Sequence, residues 1–477
     1  MSTAKNILKN TFFLSAQQLF MQVVGVFFVG YVASVVGVED YGMFIFSLSF
    51  VSIFGVLANL GTRSYSTREI AANRECASHI FSEVLPLRLL LSLCAGLLAL
   101  VVIHALPYSE KEILLVEIAI FSQLCTWVYL NTFLVYEAFE MMAYPVTVDL
   151  FVRVFVLVGA FFAIRHGYGI VSIAICYGVG NFVEIFIAFY FFRKKLFKPK
   201  FKFYSLRLHK LISILMLSFP FCVLNVSKVM MSESNKIMIS LIDGTASVGL
   251  YGVAFTLSTR LAGIVDALAT AFFPVIMRLK KELNDVEFKD KMTESLQGVI
   301  VLVIPLTIGV FVVSDEIVNI VYRSSDFSPA ALTLKIHILS LPFGALSFIF
   351  GFSLIGEGKQ KMLVKLSLFI LFINLILNYF LISIYSFNGA AIATTISVFM
   401  KFIGLLLFSG NIISWKKFNR TAILSLIIGS LMGVSVLWLK SITLFGAIAF
   451  GIIFYTGMII LTKTIDVTRL LAIVRSR

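Results

Sequence analysis

Charge is scarce in this chain of 477 residues: Asp, Glu, Lys and Arg together make 13% of it, against 60% hydrophobic residues and a mean hydropathy of +1.00. Soluble domains carry about 25% charged and roughly 45–50% apolar residues, so a water-soluble core of this size is excluded. The five cysteines, Cys76, Cys94, Cys125, Cys176 and Cys222, stand singly, with no CxxC and no Cys/His cluster. That spacing removes disulfide frameworks and thiolate metal sites and leaves packed thiols. His79, His104, His166, His209 and His337 are equally scattered. Neither HExxH nor GxxxxGK[ST] occurs, which argues against zinc hydrolysis and ATP binding, so no metal or other cofactor is expected. A polar block large enough to fold separately is missing too, and the whole chain reads as one integral membrane domain.

What is present is a succession of apolar stretches. A helix needs about 20 residues to cross the hydrocarbon, and residues 10–38, 41–62, 89–109, 118–136, 295–314, 336–356, 421–439 and 441–462 are long enough and free of charge. The stretch 366–400 holds two passes around the turn Ser386-Phe387-Asn388-Gly389. Segments near 146–166, 170–192, 213–242 and 250–273 are as long and apolar but carry isolated charges. The expected fold is an all-α polytopic membrane protein of about fourteen helices, with twelve as the rival count. The run from Asn10 to Val38 is longer than a signal h-region and lacks a small-x-small cleavage pattern, which predicts an uncleaved first helix.

Orientation follows from the basic residues. With fourteen passes and a cytoplasmic N-terminus, Lys111, Arg165, Arg323 and Lys440 lie outside and eight bases lie in or beside helices, while the rest of the 39 Lys and Arg fall on inner segments. Both termini are then cytoplasmic. The +14 net charge reports topology and contact with anionic membrane lipids, not nucleic-acid binding. The most basic loop, from Arg193 to Lys210, follows the sixth helix, and a shift of 210 positions pairs Tyr41-Gly42 with Tyr251-Gly252 and Arg68 with Arg278. This predicts a duplicated six-helix unit in parallel orientation. The expected domains are a first lobe over 1–192, a basic cytoplasmic linker over 193–210, a second lobe over 211–410, and two further helices with a cytoplasmic tail over 411–477.

Charges inside the membrane carry the functional argument, since each costs about 2.5–3.5 kcal/mol at a helix centre and a water-filled cavity relieves that cost. In the seventh helix Asn225, Lys228, Ser232, Glu233, Asn235, Lys236 and Ser240 fall within roughly 160° of arc. This suits a cavity-lining face; the bland alternative is a polar clamp in which Glu233 and Lys236 neutralise each other. Arg260 near the middle of the eighth helix and Lys401 in the twelfth are further candidates, whereas Asp149 and Arg153, four apart, also suit a simple pair. Arg88 lies close enough to a helix end to snorkel. Glu184, Gln18 and Gln22 suit either cavity lining or interhelical bonds, and Asn374 and Asn378 suit structural glue. The bases Arg88, Arg153, Lys228, Lys236, Arg260 and Lys401 outnumber the acids Asp149, Glu184, Glu233 and Asp266, so the interior is net cationic and fits an anionic ligand. Glu233, Asp266 and Asp149 are the candidates for a coupling ion.

The block Gly37-Val38-Glu39-Asp40-Tyr41-Gly42-Met43-Phe44, followed by Asn59-Leu60-Gly61-Thr62 and Arg68-Glu69, resembles the first hairpin of bacterial polysaccharide transporters. These are the O-antigen and capsule flippases of the multidrug, oligosaccharidyl-lipid and polysaccharide exporter superfamily. Val248-Gly249-Leu250-Tyr251-Gly252 with Phe273-Pro274 is similar to the hairpin opening their second half, and Gly389-Ala390-Ala391-Ile392-Ala393-Thr394 to a later turn. The resemblance implies two six-helix lobes around a V-shaped cavity, alternating access, and no enzymatic step. The implied cargo is a polyprenyl (undecaprenyl) diphosphate-linked oligosaccharide, moved from the cytoplasmic to the outer leaflet of the bacterial inner membrane for O-antigen, capsule or exopolysaccharide synthesis. A polysaccharide polymerase and chain-length machinery are the implied partners. A cation-coupled multidrug exporter remains as an alternative, although the first helix has no ionisable side chain from Asn10 to Val38. Flipping of the lipid-linked peptidoglycan precursor is another. A membrane-embedded glycan polymerase or glycosyltransferase is the rival from a different class, opposed by the shortness of the longest outer loop, about 314–331.

Overall fold

The structure, a computed structural model, describes residues 2–196, 208–282, 284–410 and 412–464, without the side chains of 2–23, 208–211, 220, 266–282 and 285. Among the described residues every regular element is a helix. In chain order these are α1 (Ser2–Asn59), α2 (Thr62–Ala72), α3 (Ala77–Ala105), α4 (Glu110–Ala138), α5 (Ala143–Arg165), α6 (Ile170–Lys195), α7 (Leu208–Asp243) and α8 (Thr245–Glu282). They continue with α9 (Asp285–Val312), α10 (Ser314–Tyr322), α11 (Ala330–Ile338), α12 (Leu341–Gly356), α13 (Gln360–Ser409), α14 (Trp415–Leu439) and α15 (Leu444–Leu461). Eleven of the helical segments are long and apolar enough to cross a membrane, and twelve if α7, bent by 62° at residue 220, is one span. The protein is a polytopic helical membrane protein.

The difference from the fourteen passes expected lies in α1 and α13, each of which breaks at a single non-helical residue, Gly37 (φ 85°) and Ser386 (φ 53°). In α13 the break is a reversal. Asn374 Nδ2 donates to Ser397 Oγ at 3.0 Å, whereas a straight helix would hold those residues roughly 35 Å apart at 1.5 Å per residue. Gly389 permits the return, because a Cβ there would stand 2.0 Å from the Leu381 carbonyl oxygen. Asn378 Nδ2 in turn donates to Asn374 Oδ1 at 2.9 Å one turn along the same arm, which orients the buried Asn374 amide for its bond across the hairpin. Asn374→Ala is expected to lower the thermal stability of the detergent-solubilised protein by about 1 kcal/mol, the scale of polar contacts between membrane helices. An unchanged melting temperature would remove that role.

The chain divides into two compact units, 1–249 and 250–477. In the first, apolar clusters occupy both ends of the helix group. Val32, Met43 and Phe44 pack with Leu115, Ala160, Ile164 and Ile173 at one end, and Ile70, Phe81, Leu134, Tyr136 and Phe192 pack at the other. Helix α4 is capped where it leaves its loop: Ser109 Oγ accepts from the Glu112 amide while Glu112 Oε2 accepts from the Ser109 amide at 2.8 Å, a capping box.

Helix α7, read from the sequence as the start of the second lobe, lies in the first unit, against α1 and α2. Glycines explain how it approaches so closely. Gly61 has φ 76°, and a Cβ on it would meet the Ser218 carbonyl oxygen at 2.3 Å and the Cys222 amide nitrogen at 2.6 Å. At the opposite end of that α1 segment, a Cβ on Gly42 would stand 1.9 Å from the Thr245 carbonyl oxygen. Tyr108 adds a tether there, with its hydroxyl 2.8 Å from Ser240 Oγ.

In the second unit the last two helices dock on α9. Val312 and Val313 pack with Ile428, Met432, Val436, Ala447 and Tyr455. Tyr455 donates its hydroxyl to the Val301 carbonyl at 2.9 Å, and Lys440 Nζ reaches the Val312 carbonyl at 3.0 Å. The outward faces of these helices are apolar, with Trp438 79% and Phe445 78% exposed, as a lipid-facing surface requires. The segment 314–331, expected as the longest outer loop, contains α10 and a 3₁₀ turn at Ser325–Phe327.

Candidate functional site

The polar cavity of the first unit is assembled from five helices. Its described lining comprises Ser52, Gly55, Val56, Ala58 and Asn59 of α1, Arg63 of α2, Arg88 of α3, Gln123, Trp127 and Leu130 of α4, and Asn225 and Val229 of α7. The volume is about 180 Å³, room for roughly a dozen waters at about 15 Å³ each. Not one of the described lining residues is acidic.

Local structure sets the two arginines. The chain leaves α1 through Leu60 and Gly61, both at positive φ. Asn59 Oδ1 then accepts from the Arg63 amide at 3.1 Å, which fixes the start of α2 and aims Arg63 along the cavity wall. Arg63 is held from outside by Glu137 at 3.1 Å and lies 4.8 Å over the Phe133 ring. Arg88 is different. It is 3% exposed, and neither its Nε nor its Nη1 has a hydrogen-bond partner; the charge within its electrostatic reach is the like charge of Arg63. A buried cation without a counterion costs several kcal/mol, and none of the described residues around Arg88 supplies one. Trp127 forms one wall, its indole packed against Gly55, where a Cβ would come within 3.2 Å of the ring.

The other residues singled out in the sequence fall in separate places. Lys228 of α7 is exposed, next to the lining residue Val229 and about a turn from Asn225. Lys236 is buried and pairs with Glu233 at 2.7 Å, while Ser232 Oγ donates to the same carboxylate at 3.0 Å. Arg153 pairs with Asp149 at 2.8 Å on α5. Arg260 and Lys401 are half-buried in the second unit, and the side chain of Asp266 lies outside the described residues, as do those of Gln18 and Gln22. Sequence reasoning missed Arg63, Gln123 and Trp127. Arg63 was readable only through the Asn59-Leu60-Gly61-Thr62 turn that places it, because by spacing alone it is one more charge at a loop.

The sequence profile of the polysaccharide biosynthesis protein family matches residues 7–280, more than half of the chain and all of the cavity lining. The chain belongs to that family. A second profile, MatE, matches residues 220–380. Among the chain's relatives, the probable low-salt glycan biosynthesis flippase Agl15 of Haloferax volcanii is 26% identical over 239 residues, 48% of this chain and 50% of that one. The capsular polysaccharide biosynthesis protein CapF of Staphylococcus aureus is 24% identical over 212 residues, 42% and 52% of the two chains. The chain thus spans about half the length of these curated relatives. A solved structure of the lipid II flippase MurJ in an inward closed conformation has the same fold, with a TM-score of 0.75 over 93% of this chain and 98% of that chain at 18% identity. An inward-facing multidrug resistance MATE family transporter superposes with a TM-score of 0.63 at 15% identity, over 82% and 93%.

Proposed function

We propose that this protein is a flippase that carries a polyprenyl-diphosphate-linked oligosaccharide from the cytoplasmic to the outer leaflet of the cytoplasmic membrane by alternating access, for O-antigen, capsule or exopolysaccharide assembly. The observation that carries the reading is Arg88: a buried guanidinium with two unpartnered nitrogens in a cavity that also holds Arg63 and no carboxylate. A diphosphate supplies the missing acceptors, and charge-assisted bidentate bonds to it are strong in a site shielded from bulk water. Amide side chains of Gln123, Asn59 and Asn225 and the face of Trp127 are suited to sugar hydroxyls and ring faces. The names of the relatives, a glycan biosynthesis flippase and a capsular polysaccharide biosynthesis protein, point the same way. The basic inner segments support cytoplasmic termini, and a polysaccharide polymerase with its chain-length machinery would receive the product. No catalytic step is assigned to the chain.

The test is transport by the purified protein in proteoliposomes. A fluorescent polyprenyl-diphosphate oligosaccharide should become accessible to an impermeant quencher at a rate set by the protein; an unchanged rate together with extrusion of an organic cation would make the chain a drug exporter instead. Competition by a peptidoglycan-type lipid precursor against the oligosaccharide separates the two lipid-linked cargoes. Lys228→Gln is expected to slow transport by up to about five-fold, the upper range for an exposed charge, and the deficit should shrink as salt screens it. An equal deficit at all ionic strengths would argue against a steering role for Lys228.

A further inference from the structure

Away from the cavity, a second group of charges lies among α4, α5 and α6, with Glu184 buried and the Asp149–Arg153 pair about half exposed. Glu184, midway along α6, is 4% exposed, and its Oε1 has no hydrogen-bond partner. Asp149 and Arg153 of α5 lie within its electrostatic reach, and these two are bonded to each other, Nε to Oδ2, at 2.8 Å. Among the described residues the surroundings offer no other base to compensate Glu184. Tyr129 of α4 donates its hydroxyl to the Pro145 carbonyl at 3.2 Å. Tyr177, on α6 itself, lies within reach of Arg153 and packs on Phe44 with ring centres 5.6 Å apart. Cys125 of α4 is a buried free thiol, and Arg63, the remaining cation within reach of Tyr129, is paired with Glu137. Asn181 is occupied by Ser122 and Thr126. The residues that α1 contributes to the cluster against α5 and α6 are apolar: Val32, Met43 and Phe44, with Phe28, Val36, Ile45 and Leu48 around them.

The charges can be counted. Two carboxylates share one guanidinium and only Glu184 is buried, so with both ionised the uncompensated negative charge falls on the carboxylate that is shut away from water, and such a charge neutralises by taking a proton. With one proton the group is neutral. Of the two carboxylates, Asp149 has the arginine and Glu184 has an oxygen without a donor. We propose that Glu184 is a proton-binding site of the first unit, holding one proton while Arg153 pairs with Asp149 and releasing it to water when Arg153 turns to the Glu184 carboxylate. No bond other than the O–H breaks, and the proton passes to a water molecule as hydronium. The use of this exchange to drive transport rests on the flippase reading; the site itself does not.

The experiment is infrared difference spectroscopy on the full chain in lipid vesicles, with no transport substrate present. At neutral pH the wild type should show the carbonyl stretch of a protonated carboxylic acid that is lost in Glu184→Gln and displaced in Glu184→Asp, and it should fade as the pH is raised. Asp149→Asn leaves Glu184 as the sole carboxylate partner of Arg153, so the same band should disappear at neutral pH. A wild-type spectrum identical to that of Glu184→Gln, or a band untouched by Asp149→Asn, would overturn the proposal; monodisperse elution of each variant excludes misfolding as the cause. In proteoliposomes carrying the labelled lipid-linked oligosaccharide, an imposed pH gradient should change the wild-type rate several-fold and leave Glu184→Gln unaffected. If wild-type protein moved no such lipid, the flippase reading would fail and the infrared result alone would still decide the proton site.

Discussion

Arg88→Met is expected to abolish movement of the lipid-linked glycan while leaving the protein at least as stable as the wild type. The two effects have one cause. In the structure the guanidinium is buried with Nε and Nη1 unpartnered and Arg63 nearby, so the folded protein carries an uncompensated desolvation cost that an apolar side chain of similar length does not incur. Replacing even paired buried charges by hydrophobic residues is often neutral or stabilising by about 1–4 kcal/mol. For the anion the sign reverses: removing one partner of a buried charge-assisted contact costs about 2–5 kcal/mol, or roughly 30-fold to several thousand-fold at 1.4 kcal/mol per decade. Arg88→Lys keeps the charge but not the planar fork, and should recover part of the rate. Transport rates in proteoliposomes and melting curves in detergent check both halves. A variant that is inactive and also destabilised would make Arg88 structural, and one that is active would remove it from the site.

Gly42→Ala is the second substitution with a large expected effect, here on folding. Its Cβ would stand 1.9 Å from the Thr245 carbonyl oxygen, 2.8 Å from the carbonyl carbon and 3.0 Å from the Gly249 amide nitrogen, and a Cβ on Gly249 would in turn meet the Val38 carbonyl at 2.5 Å. All of these neighbours are backbone, so no rotamer change relieves the overlap and α1 must separate from the turn at Thr245–Gly249. The expected cost exceeds about 4 kcal/mol, the range reserved for changes that break a structural feature outright. Gly25→Ala is the control, because a Cβ there meets nothing within 4 Å and alanine favours the helix by up to about 1 kcal/mol. Yield of monodisperse protein and thermal unfolding distinguish them; equal behaviour of the two variants would show that the contact is not maintained in the membrane.

The contrast between Gly42 and Gly25 also shows how much was legible in the residues. The motif glycines at 42, 61, 249 and 389 carry the family resemblance, and all four stand where a backbone passes too closely for any side chain, Gly42 and Gly249 in one shared contact. The resemblance therefore rested on packing that the sequence names but does not display. The charged residues were less legible. Glu233 and Lys236 occupy one helix face in the sequence, and whether they line water or bind each other depends on which side chains crowd that face; the structure joins them at 2.7 Å. Arg88, near a helix end, suits snorkelling as well as a place in the cationic interior by position alone, and in the structure α1, α4 and α7 line the cavity with it. Arg63 and Glu184 carry no periodic signal at all.

Composition and periodicity determined that this is a multi-pass helical membrane protein, because hydrocarbon tolerates a spanning chain only when its backbone bonds are internal and its side chains apolar over about 20 residues. Those conditions are local, and a linear sequence states them directly. Tertiary structure alone decided that α7 seats in the first unit, that Arg88 keeps Nε and Nη1 unpartnered in a cavity whose described lining holds no carboxylate, and that Glu184 is buried within electrostatic reach of the Asp149–Arg153 pair. Each depends on helices far apart in sequence meeting at a particular rotation, and a charge acquires its role only from what that meeting leaves beside it.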